Sequence, residues 1–485
     1  MERLEQLTNA WQYGVAALTL VLSLLAAGHA VLYKRDTRAA ALWVGFIWLI
    51  PLVGAVLYFL LGINRLKRRA ILLRGHLERY RAEQTVEGCS VERLAALLPA
   101  GSRHLTSIAC ATSKVVARPL LPGNRVEPLI NGDAAYPAML DAIAGARHSI
   151  TLSTYIFDRD EAGLAFARTL GEAARRGVEV RVLIDATGAR YSWPSIMGVL
   201  RREGVRHARF LPTFPLWHMP SINLRNHRKI LVVDGRVGFT GGMNIRVGHE
   251  LAKAPARPVQ DIQFRVEGPV VAQLQEVFVD DWFFTTREAL RGEQWFPPIE
   301  AAGPVMARGI PDGPDEDFGN LRWVILGALA AAQRSIRVLT PYFLPEPSII
   351  FALNLAAMRG VEVDIVLPAR GNLPFVQWAS TAHWWQVLEH GCRIWLAPQP
   401  FDHSKLFIVD DGWAMVGSAN WDPRSLRLNF ELNLETYDTA LACSLADLFD
   451  AKLGQSRRVT LPEVDARSLP VRLRDGAARL LTPFL

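Results

Sequence analysis

The chain contains one pattern twice, and this duplication constrains its fold more than any other feature. The first copy reads "RHSITLSTYIF", "ARRGVEVRVLID" and "NHRKILVVDG", and the second reads "QRSIRVLTPYF", "AMRGVEVDIVLP" and "DHSKLFIVDD". Ser149 and Ser335 are 186 residues apart, and His227 and His403 are 176 apart, so the spacing is nearly constant. A repeat of this length indicates a duplicated domain rather than the short units of a solenoid.

Each copy alternates β-rich and helical segments. "SITLSTYIF" and "VEVRVLID" are typical of buried strands, whereas "AGLAFARTLGEAARRG" between them has helical apolar spacing and ends at Gly177. Strands that alternate with helices predict an α/β fold, here two pseudo-symmetric α/β/α domains with mixed, mostly parallel sheets. We place the first domain at 121–295 and the second at 296–485, with the Gly-, Pro- and Asp-rich segment 296–320 as the joint.

Two stretches near the N-terminus, residues 11–33 and 39–63, contain no Asp, Glu, Lys or Arg. At about 1.5 Å per residue, each is long enough as a helix to cross a hydrocarbon core of roughly 30 Å. A cleaved signal peptide would account for the first stretch but not for the second. Residues 1–64 are therefore predicted to form a hairpin of two transmembrane helices.

Basic residues follow these stretches. The segment 65–120, predicted to be a basic juxtamembrane helix and linker, opens with Arg65, Lys67, Arg68, Arg69 and Arg74. Because cytoplasmic flanks of membrane spans carry an excess of Lys and Arg, this cluster predicts that the catalytic domains lie in the cytoplasm. The net charge of +7 favours anionic partners such as lipid headgroups or nucleic acid.

A histidine and a lysine two positions apart begin the last strand of each pattern. Side chains two apart in a strand share a face, so His227 points the same way as Lys229, and His403 the same way as Lys405. A neutral imidazole is a nucleophile or a base, and an ammonium group binds a phosphate oxygen. One such histidine would be expected to be an ordinary core residue. Two matching pairs instead indicate attack on a phosphodiester.

A glycine-rich turn follows each pair. The turn "GGMN" contains Gly242 and Asn244, and the turn "GSAN" contains Ser418 and Asn420. Small residues leave backbone N–H groups accessible to an anion, and the two asparagines can add side-chain donors. We predict that both turns support the phosphate.

Carboxylates are placed to orient the histidines. Asp261 lies 34 residues after His227, and Glu431 lies 28 residues after His403, each at the start of a strand-like stretch. A carboxylate on the imidazole Nδ1 fixes the tautomer and leaves Nε2 to attack. We therefore expect Asp261 to contact His227 and Glu431 to contact His403.

Two further aspartates, Asp234 and Asp410, each lie five residues after a lysine. At about 3.3 Å per residue, a straight strand would carry each of them roughly 16 Å from that lysine. The spacing alone therefore indicates support of a loop rather than contact with the phosphate.

The repeated pattern His-x-Lys-x(4)-Asp resembles the signature of the phospholipase D superfamily. Both copies are complete: His227, Lys229, Asp234 and His403, Lys405, Asp410. More narrowly, "NHRKILVVDGRVGFTGGMNI", "GSANWDPRSLRLNFELN" and the paired N-terminal stretches resemble bacterial cardiolipin synthases. "RVGHE" after "GGMNI" departs from the acidic and aromatic run usual in those enzymes, a difference that bears on the acceptor. The resemblance implies two phospholipase D-like domains in a multi-pass protein of the bacterial inner membrane.

The resemblance also implies a reaction. Phosphatidyl transfer between two phosphatidylglycerol molecules would give cardiolipin and glycerol through a phosphohistidine. His227 would be the nucleophile and His403 the acid and base, although the residues themselves do not distinguish the two. Lys229 and Lys405 would hold the phosphate oxygens, and the signature aspartates would belong to the catalytic set. The expected partners are phosphatidylglycerol, other anionic phospholipids and the membrane, with no nucleic acid, metal or other cofactor.

Three other functions fit parts of the pattern. They are a hydrolytic phospholipase D, in which water replaces the lipid alcohol, a membrane-tethered nuclease, and a catalytically idle lipid-binding protein. Two intact signatures argue against the idle protein, and a nuclease would need a long basic groove. Synthase and hydrolase differ in water exclusion, which the sequence leaves open, as it leaves open phosphatidylglycerol or phosphatidylethanolamine as the acceptor.

Overall fold

The computed structural model describes residues 2–34, 37–62, 87–211, 224–315 and 317–482. The chain divides into two compact units, Met1–Arg69 and Ala70–Leu485. The described part of the first unit is helical, and the second unit is built on one large sheet.

The first unit contains one helix long enough to cross a membrane. Helix α1 (Glu2–Tyr33) includes the apolar segment Trp11–Tyr33, which agrees with the first predicted span. Within the described residues it alone combines the length and the hydropathy that crossing a bilayer requires.

The second predicted span, residues 39–63, is divided into shorter pieces. Helix α2 (Thr37–Leu49) ends before α3 (Pro51–Leu57), and α3 continues into a π-helical turn, Tyr58–Gly62. Proline lacks the backbone N–H that would extend the hydrogen bonds of α2 into α3, so the helix breaks at Pro51. The predicted hairpin of two spans, and with it the multi-pass topology, is therefore not supported.

The segment 65–120 was predicted to begin with a basic cluster. Residues 65–74, which hold that cluster, lie outside the described residues. From residue 87 the linker forms α4 (Val91–Leu97), a 3-10 helix (Ala100–Leu105) and α5 (Thr106–Val115).

The helices of the two copies mostly follow the predicted alternation with strands. They are α6 (Asn131–Gly145), α7 (Glu161–Arg175), α8 (Met197–Arg202), α9 (Val271–Thr286), α10 (Asn320–Ala331), α11 (Pro347–Met358), α12 (Pro374–Thr381), α13 (Trp385–Leu388), α14 (Pro423–Arg427), α15 (Thr439–Gly454), α16 (Leu461–Asp465) and α17 (Leu469–Leu480). Helix α7 has a local signal at each end. At the N-terminus the Asp160 side chain accepts a hydrogen bond from Gly163 N, and after the C-terminus Gly177 has a φ of 90°.

The strands are short and begin at residue 121. They are β1 (Leu121–Ile130), β2 (Ser149–Thr154), β3 (Glu179–Asp185), β4 (His207–Phe210), β5 (Arg225–Asn226), β6 (Ile230–Val233), β7 (Val237–Gly241), β8 (Val259–Gln260), β9 (Ile262–Glu267), β10 (Val305–Asp312), β11 (Ser335–Leu339), β12 (Glu362–Pro368), β13 (Arg393–Ala397), β14 (Phe401–Asp402), β15 (Leu406–Val409), β16 (Trp413–Gly417), β17 (Asn429–Tyr437) and β18 (Arg457–Val459).

The two copies form one continuous sheet with pseudo-two-fold symmetry. Its order is β18-β13-β12-β11-β15-β16-β17-β10-β1-β9-β7-β6-β2-β3-β4, and β5 pairs with β17. On either side of the central antiparallel pair β1–β10, the order β9-β7-β6-β2-β3-β4 matches β17-β16-β15-β11-β12-β13. Strands β8 and β14 pair with each other apart from this sheet.

The sheet is mixed, as predicted, but it is not mostly parallel. The strands β2-β3-β4 and β11-β12-β13 run parallel within each set. The signature strands β6 and β15 run antiparallel to both neighbours. Each signature strand is joined to the next strand by a tight hairpin, and a tight hairpin requires antiparallel strands.

The segment 296–320, predicted to be a joint, contains a central strand of the sheet. All eight residues of β10 are buried, and β10 pairs with β1 on one side and with β17 on the other. Its Gly309 and Pro311 made the sequence look like a loop. Strands of both segments share one sheet, so the sheet itself does not mark a boundary between them. The domain limits 121–295 and 296–485 therefore remain predictions.

Helices cover both faces of the sheet. Alternate residues of a strand point to opposite faces, so Ile230 and Val232 of β6 pack with α9, whereas Leu231 and Val233 pack with α6 and α7. The second copy repeats this division with α15 on one face and α10 and α11 on the other. Three layers of this kind leave the ends of the strands free to carry polar side chains.

Candidate active site

Both histidines lie at the same edge of the sheet. His227 precedes β6, whose first residue pairs with Ser153 near the end of β2. His403 precedes β15, whose first residue pairs with Leu339 at the end of β11. Ligands of open α/β sheets bind beyond the carboxyl ends of the parallel strands, and this is where both signatures begin.

The start of β17 holds His227 at two points. The backbone N–H of His227 donates to Phe430 O at 2.9 Å. The His227 Nδ1 lies 3.0 Å from Oε2 of Glu431, which is completely buried. The two residues before His227 form β5, which runs parallel to the two residues before Glu431 at the start of β17.

His403 is held in the same way by the other copy. Its backbone N–H donates to Gln260 O at 2.8 Å, and its Nδ1 lies 2.9 Å from Asp261 Oδ2. The residues before His403 form β14, which runs parallel to β8, the two residues before Asp261.

The carboxylates are therefore exchanged between the copies. The expected contacts, Asp261 with His227 and Glu431 with His403, are wrong, because each carboxylate reaches the histidine of the other copy. Both expected carboxylates do engage an Nδ1, which leaves Nε2 of each ring to act on a substrate. The exchange also brings both copies into one site.

The two lysines are buried beside the histidines. Lys229 and Lys405 are 2% and 7% exposed, and each Nζ donates to the backbone oxygen of the histidine two residues earlier. Burial lowers the pKa of Lys229 to about 7 and that of Lys405 to about 8, although Glu431 and Asp261 oppose the shift in both cases. Two buried ammonium groups have the charge and the donors that an anion such as phosphate requires.

The two histidines are not electrostatically equivalent. Burial lowers the pKa of His227, but the carboxylate of Glu431 opposes this shift. Burial together with the ammonium groups of Lys405 and Lys229 lowers the pKa of His403 well below its usual value. A proton shared by the site is therefore held more readily by His227.

The pKa values of the two carboxylates are shifted in opposite directions. Burial raises the pKa of Asp261 to about 6. The pKa of Glu431 is lowered instead, since the effects of His227, Lys229 and Ser418 exceed that of burial. Glu431 also accepts hydrogen bonds from Ser418 Oγ at 2.5 Å and from Asn429 Nδ2 at 3.0 Å.

Known proteins are similar to this chain over most of its length. A family model described as "Cardiolipin synthase, PLD-like domain" matches residues 139–282 and 325–453, and one described as "Phospholipase_D-nuclease N-terminal" matches residues 21–62. Cardiolipin synthase 1 of Bacillus anthracis is 31% identical over 93% of this chain and 90% of its own length. Cardiolipin synthase A of Pseudomonas fluorescens is 32% identical over 97% of both chains. The chain belongs to the cardiolipin synthase family.

A solved structure supports the fold. Phosphatidylserine synthase of Haemophilus influenzae superimposes with a TM-score of 0.60 at 14% identity, covering 78% of this chain and 100% of its own. The cardiolipin synthase family consists of phosphatidyltransferases of the phospholipase D superfamily, and this chain is therefore a phosphatidyltransferase. These two relatives are bacterial proteins.

The glycine-rich turns of this cardiolipin synthase relative differ between the copies. A Cβ at Gly242 would lie 2.6 Å from Asp261 Oδ1, so the small residue is required there. The equivalent Ser418 uses its hydroxyl to bind Glu431. Asn244 Oδ1 accepts a hydrogen bond from Ile156 N at 3.0 Å, whereas Asn420 Oδ1 is buried with no partner in the described part of the chain. The Asn244 side chain therefore fixes the loop that contains Ile156, whereas Asn420 Oδ1 can accept a hydrogen bond from another group.

The signature aspartates lie at the far end of their strands. The Asp234 carboxylate accepts hydrogen bonds from the backbone N–H groups of residues 147–149 at 2.7–3.2 Å. Asp410 does the same for residues 333–335 and also lies 2.6 Å from His104 Nε2. Both have positive φ, 51° and 52°, as the turn after the strand requires. These contacts fix the starts of β2 and β11, while a catalytic role of the two aspartates stays a prediction.

Two tyrosines belong to the site but were not predicted. The Tyr155 ring meets the His227 ring edge-on at 5.2 Å, and Lys229 Nζ lies 5.5 Å from the centre of the same tyrosine ring. Tyr342 meets His403 in the same orientation at 6.4 Å. A signal was present, since the equivalent segments "TYIF" (154–157) and "TPYF" (340–343) each contain a tyrosine, although the two tyrosines are offset by one position.

A buried ion pair supports each histidine segment, with the charges reversed. In the first copy Arg228 donates two hydrogen bonds to Asp281 of α9, both at 2.8 Å. In the second copy Asp402 accepts a hydrogen bond from Lys452 of α15, which also donates to Gln260 at 2.8 Å. Lys452 therefore joins the residue before His403 to the residue before Asp261.

Proposed function

We propose that this protein transfers a phosphatidyl group between two phosphatidylglycerol molecules and releases glycerol. The observation that carries the proposal is the exchanged pairing, in which two histidines and two lysines converge in one buried site of a cardiolipin synthase-family chain. This set can bind a phosphodiester, attack it and move one proton.

In the first step, the neutral imidazole attacks phosphorus through Nε2. The new N–P bond replaces the P–O bond to the headgroup glycerol, and the protonated imidazole donates its proton to the departing glycerol oxygen. Lys229 and Lys405 stabilise the charge on the phosphoryl oxygens during this change.

In the second step, the headgroup hydroxyl of another phosphatidylglycerol attacks the phosphohistidine. It gives its proton to the second imidazole, forms the new P–O bond and breaks the P–N bond, which restores both rings. Tyr155 and Tyr342 are placed beside the rings to limit the access of water, which would give phosphatidic acid instead. The apolar helix Trp11–Tyr33 would hold the enzyme at the membrane that contains its substrates.

A product assay tests this reaction. The full-length protein in detergent micelles with phosphatidylglycerol as the sole lipid is expected to yield cardiolipin and glycerol in equal amounts. Phosphatidic acid without cardiolipin would identify a hydrolase. Adding phosphatidylethanolamine shows whether it competes as an acceptor. His227→Ala and His403→Ala are expected to be inactive, and His390→Ala, which changes an exposed histidine away from the site, serves as the matched control.

Mapping the covalent adduct tests the intermediate. Rapid denaturation during turnover at neutral to mildly alkaline pH, where the acid-labile P–N bond survives, followed by mass spectrometry, is expected to find one phosphatidylated histidine. The family resemblance implies His227, whereas the charges in the unliganded site favour a neutral, nucleophilic His403. An adduct on neither residue would refute the two-step mechanism.

A further inference from the structure

Helix α17 (Leu469–Leu480) turns three of its leucines away from the protein. Leu469, Leu473 and Leu480 are 67%, 64% and 76% exposed. At about 100° per residue, these three positions fall on one face of the helix. A surface helix of a globular protein normally places such an apolar stripe against the core, so α17 is oriented in the opposite way.

The inner face of α17 is small and polar instead of leucine-rich. Ala478 packs with Ala379 of α12 and with Leu344. Asp475, which is buried, accepts a hydrogen bond at 2.7 Å from Arg467, a residue that precedes the helix. These contacts fix which side of α17 faces the protein, and they leave the leucines on the outer side.

Arginines border the leucine face on both sides. The same helical spacing places Arg472 and Arg479 on one flank and Arg474 on the other, and all three are exposed. Residues 469–482 contain one acidic residue, the buried Asp475. The outward surface of α17 is therefore apolar along its middle and positively charged along its edges.

A partner for this surface must bury apolar side chains and pair with arginines at the same time. An anionic lipid surface does both, because its acyl region accepts the leucines and its headgroup phosphates lie at the level of the flanking arginines. Single exposed leucines are common on soluble proteins, but a stripe of three between arginines is typical of a helix that lies in a membrane surface. A nucleic acid would match the arginines and leave the leucines in water.

The outward surface of α17 belongs to a helix that packs beside the candidate active site. Leu344, which contacts Ala478, lies two residues after Tyr342, and the Tyr342 ring is 6.4 Å from the His403 ring. Helix α12, on which α17 packs, follows β12, whose carboxyl end lies at the same edge of the sheet as His403. A membrane that holds α17 would therefore lie close to this edge.

We propose that α17 lies in the surface of an anionic membrane and holds the active-site edge of the sheet next to the lipid. The leucine face enters the boundary between headgroups and acyl chains, and the arginines contact headgroup phosphates. The use of this orientation for lipid transfer rests on the proposed function, whereas the contact itself can be measured without turnover.

Fluorescence quenching tests the contact in the full-length protein. An environment-sensitive dye is attached at Ala477→Cys, an exposed position beside the leucine face, in a background in which the three cysteines that are not buried are replaced by serine: Cys89, Cys110 and Cys443. The control keeps Cys443 as its one labelled site. Cys443 is exposed and its Sγ lies 4.0 Å from Asp411 O, at the far end of the signature strand β15.

Both proteins are placed in vesicles of phosphatidylcholine and phosphatidylglycerol that contain a lipid with a nitroxide on its acyl chain. The dye at position 477 is expected to be quenched several-fold more than the dye at Cys443, and less in vesicles of phosphatidylcholine alone, where the arginines lack anionic partners. Equal quenching at both positions would overturn the proposal. Disulfide-linked dimers of unlabelled Ala477→Cys would then identify a second copy of the chain as the occupant of the leucine face.

Removing the leucine face gives a second measurement. The triple variant Leu469→Ser, Leu473→Ser, Leu480→Ser changes only exposed side chains, so its melting temperature is expected to match the wild type. Since burial of each leucine changes a binding constant roughly tenfold or more, quenching at position 477 is expected to fall to the level of the control. Leu97→Ser, which changes an exposed leucine of α4, is the matched variant and is expected to keep the quenching.

The same variants separate orientation from catalysis. The triple variant is expected to form cardiolipin about tenfold more slowly in vesicles and within twofold of the wild-type rate in detergent micelles, where no membrane plane has to be matched. Equal rates in vesicles would overturn the orienting role of α17. A wild type that makes no cardiolipin would refute the proposed function, while the quenching result would still decide the membrane contact.

Discussion

Replacing Glu431 with glutamine changes one charge and almost no volume. Glu431 is completely buried and accepts hydrogen bonds from His227 Nδ1, Ser418 Oγ and Asn429 Nδ2. The glutamine amide keeps the shape but loses the carboxylate that favours protonated His227. It can also turn its NH₂ group toward Nδ1, which would place the ring proton on Nε2 and block attack.

The size of the effect follows from these contacts. A hydrogen bond to a buried charged group contributes about 1.5–3 kcal/mol, and the site is too buried for solvent to screen it. At about 1.4 kcal/mol per tenfold, kcat is expected to fall roughly 10- to 150-fold. Since Glu431 raises the pKa of His227, its loss lowers that pKa, and the limb of the pH–rate profile that reports His227 is expected to move to lower pH.

The assay is cardiolipin formation from phosphatidylglycerol over the pH range in which the enzyme stays folded. Glu435→Gln is the control, because Glu435 is an equally buried residue of β17 that pairs with Arg308 rather than with a histidine. It is expected to lower the melting temperature without moving the pH profile of the folded fraction. If Glu431→Gln keeps both kcat within twofold of wild type and an unchanged profile, the orienting role of Glu431 is refuted.

Three further predictions follow from the same geometry. Asp410→Asn is expected to lower the free energy of unfolding by about 1.5–3 kcal/mol while kcat of the folded protein stays within a few-fold, as measured by denaturant titration and product assay; a fully folded but inactive variant would return Asp410 to the chemistry. Lys452→Met leaves Asp402 buried without its cation, so kcat is expected to fall about tenfold or more and to recover in the double variant with Asp402→Asn; no recovery would contradict their coupling. The pKa values of about 7 for Lys229 and about 8 for Lys405 mean that the ammonium groups are lost as pH rises through this range, so kcat/KM is expected to fall there. In the pH profile of kcat the same limb is expected at higher pH, since a bound phosphate stabilises the protonated lysines. Activity that persists unchanged up to the pKa of an ordinary lysine would show that the limb does not report Lys229 and Lys405.

Local sequence patterns predicted the parts of the fold that depend on neighbours in the chain. The alternation of β2, α7 and β3 follows from side-chain periodicity and from a capped helix that ends at a glycine. The break at Pro51 also has a local signal, the missing backbone donor, although the length and hydropathy of residues 39–63 alone predict one continuous span. Strand β10 was missed because its Gly and Pro are local loop signals, whereas its burial comes from two neighbouring strands distant in sequence.

The candidate site was predictable in composition but not in its pairing. The repeated His-x-Lys pattern identified His227 and His403 because two copies of an unusual spacing need one explanation. The partner of each histidine is set by two-residue strands, β5 on β17 and β14 on β8, that join different copies. Such short ladders leave no periodic pattern in the sequence, so only the folded chain shows which carboxylate reaches which ring.

The crossed carboxylates have a consequence for the history of the chain. One copy, cut out and folded alone, would hold a histidine without its acid, so a single-copy ancestor could have worked only as a homodimer. Identical subunits would give both rings the same surroundings until substrate bound. Fusion into one polypeptide removed that restriction, and the pairs Gly242 with Asp261 and Ser418 with Glu431 are now free to differ. The two rings of the enzyme can thus differ in proton affinity before any substrate binds.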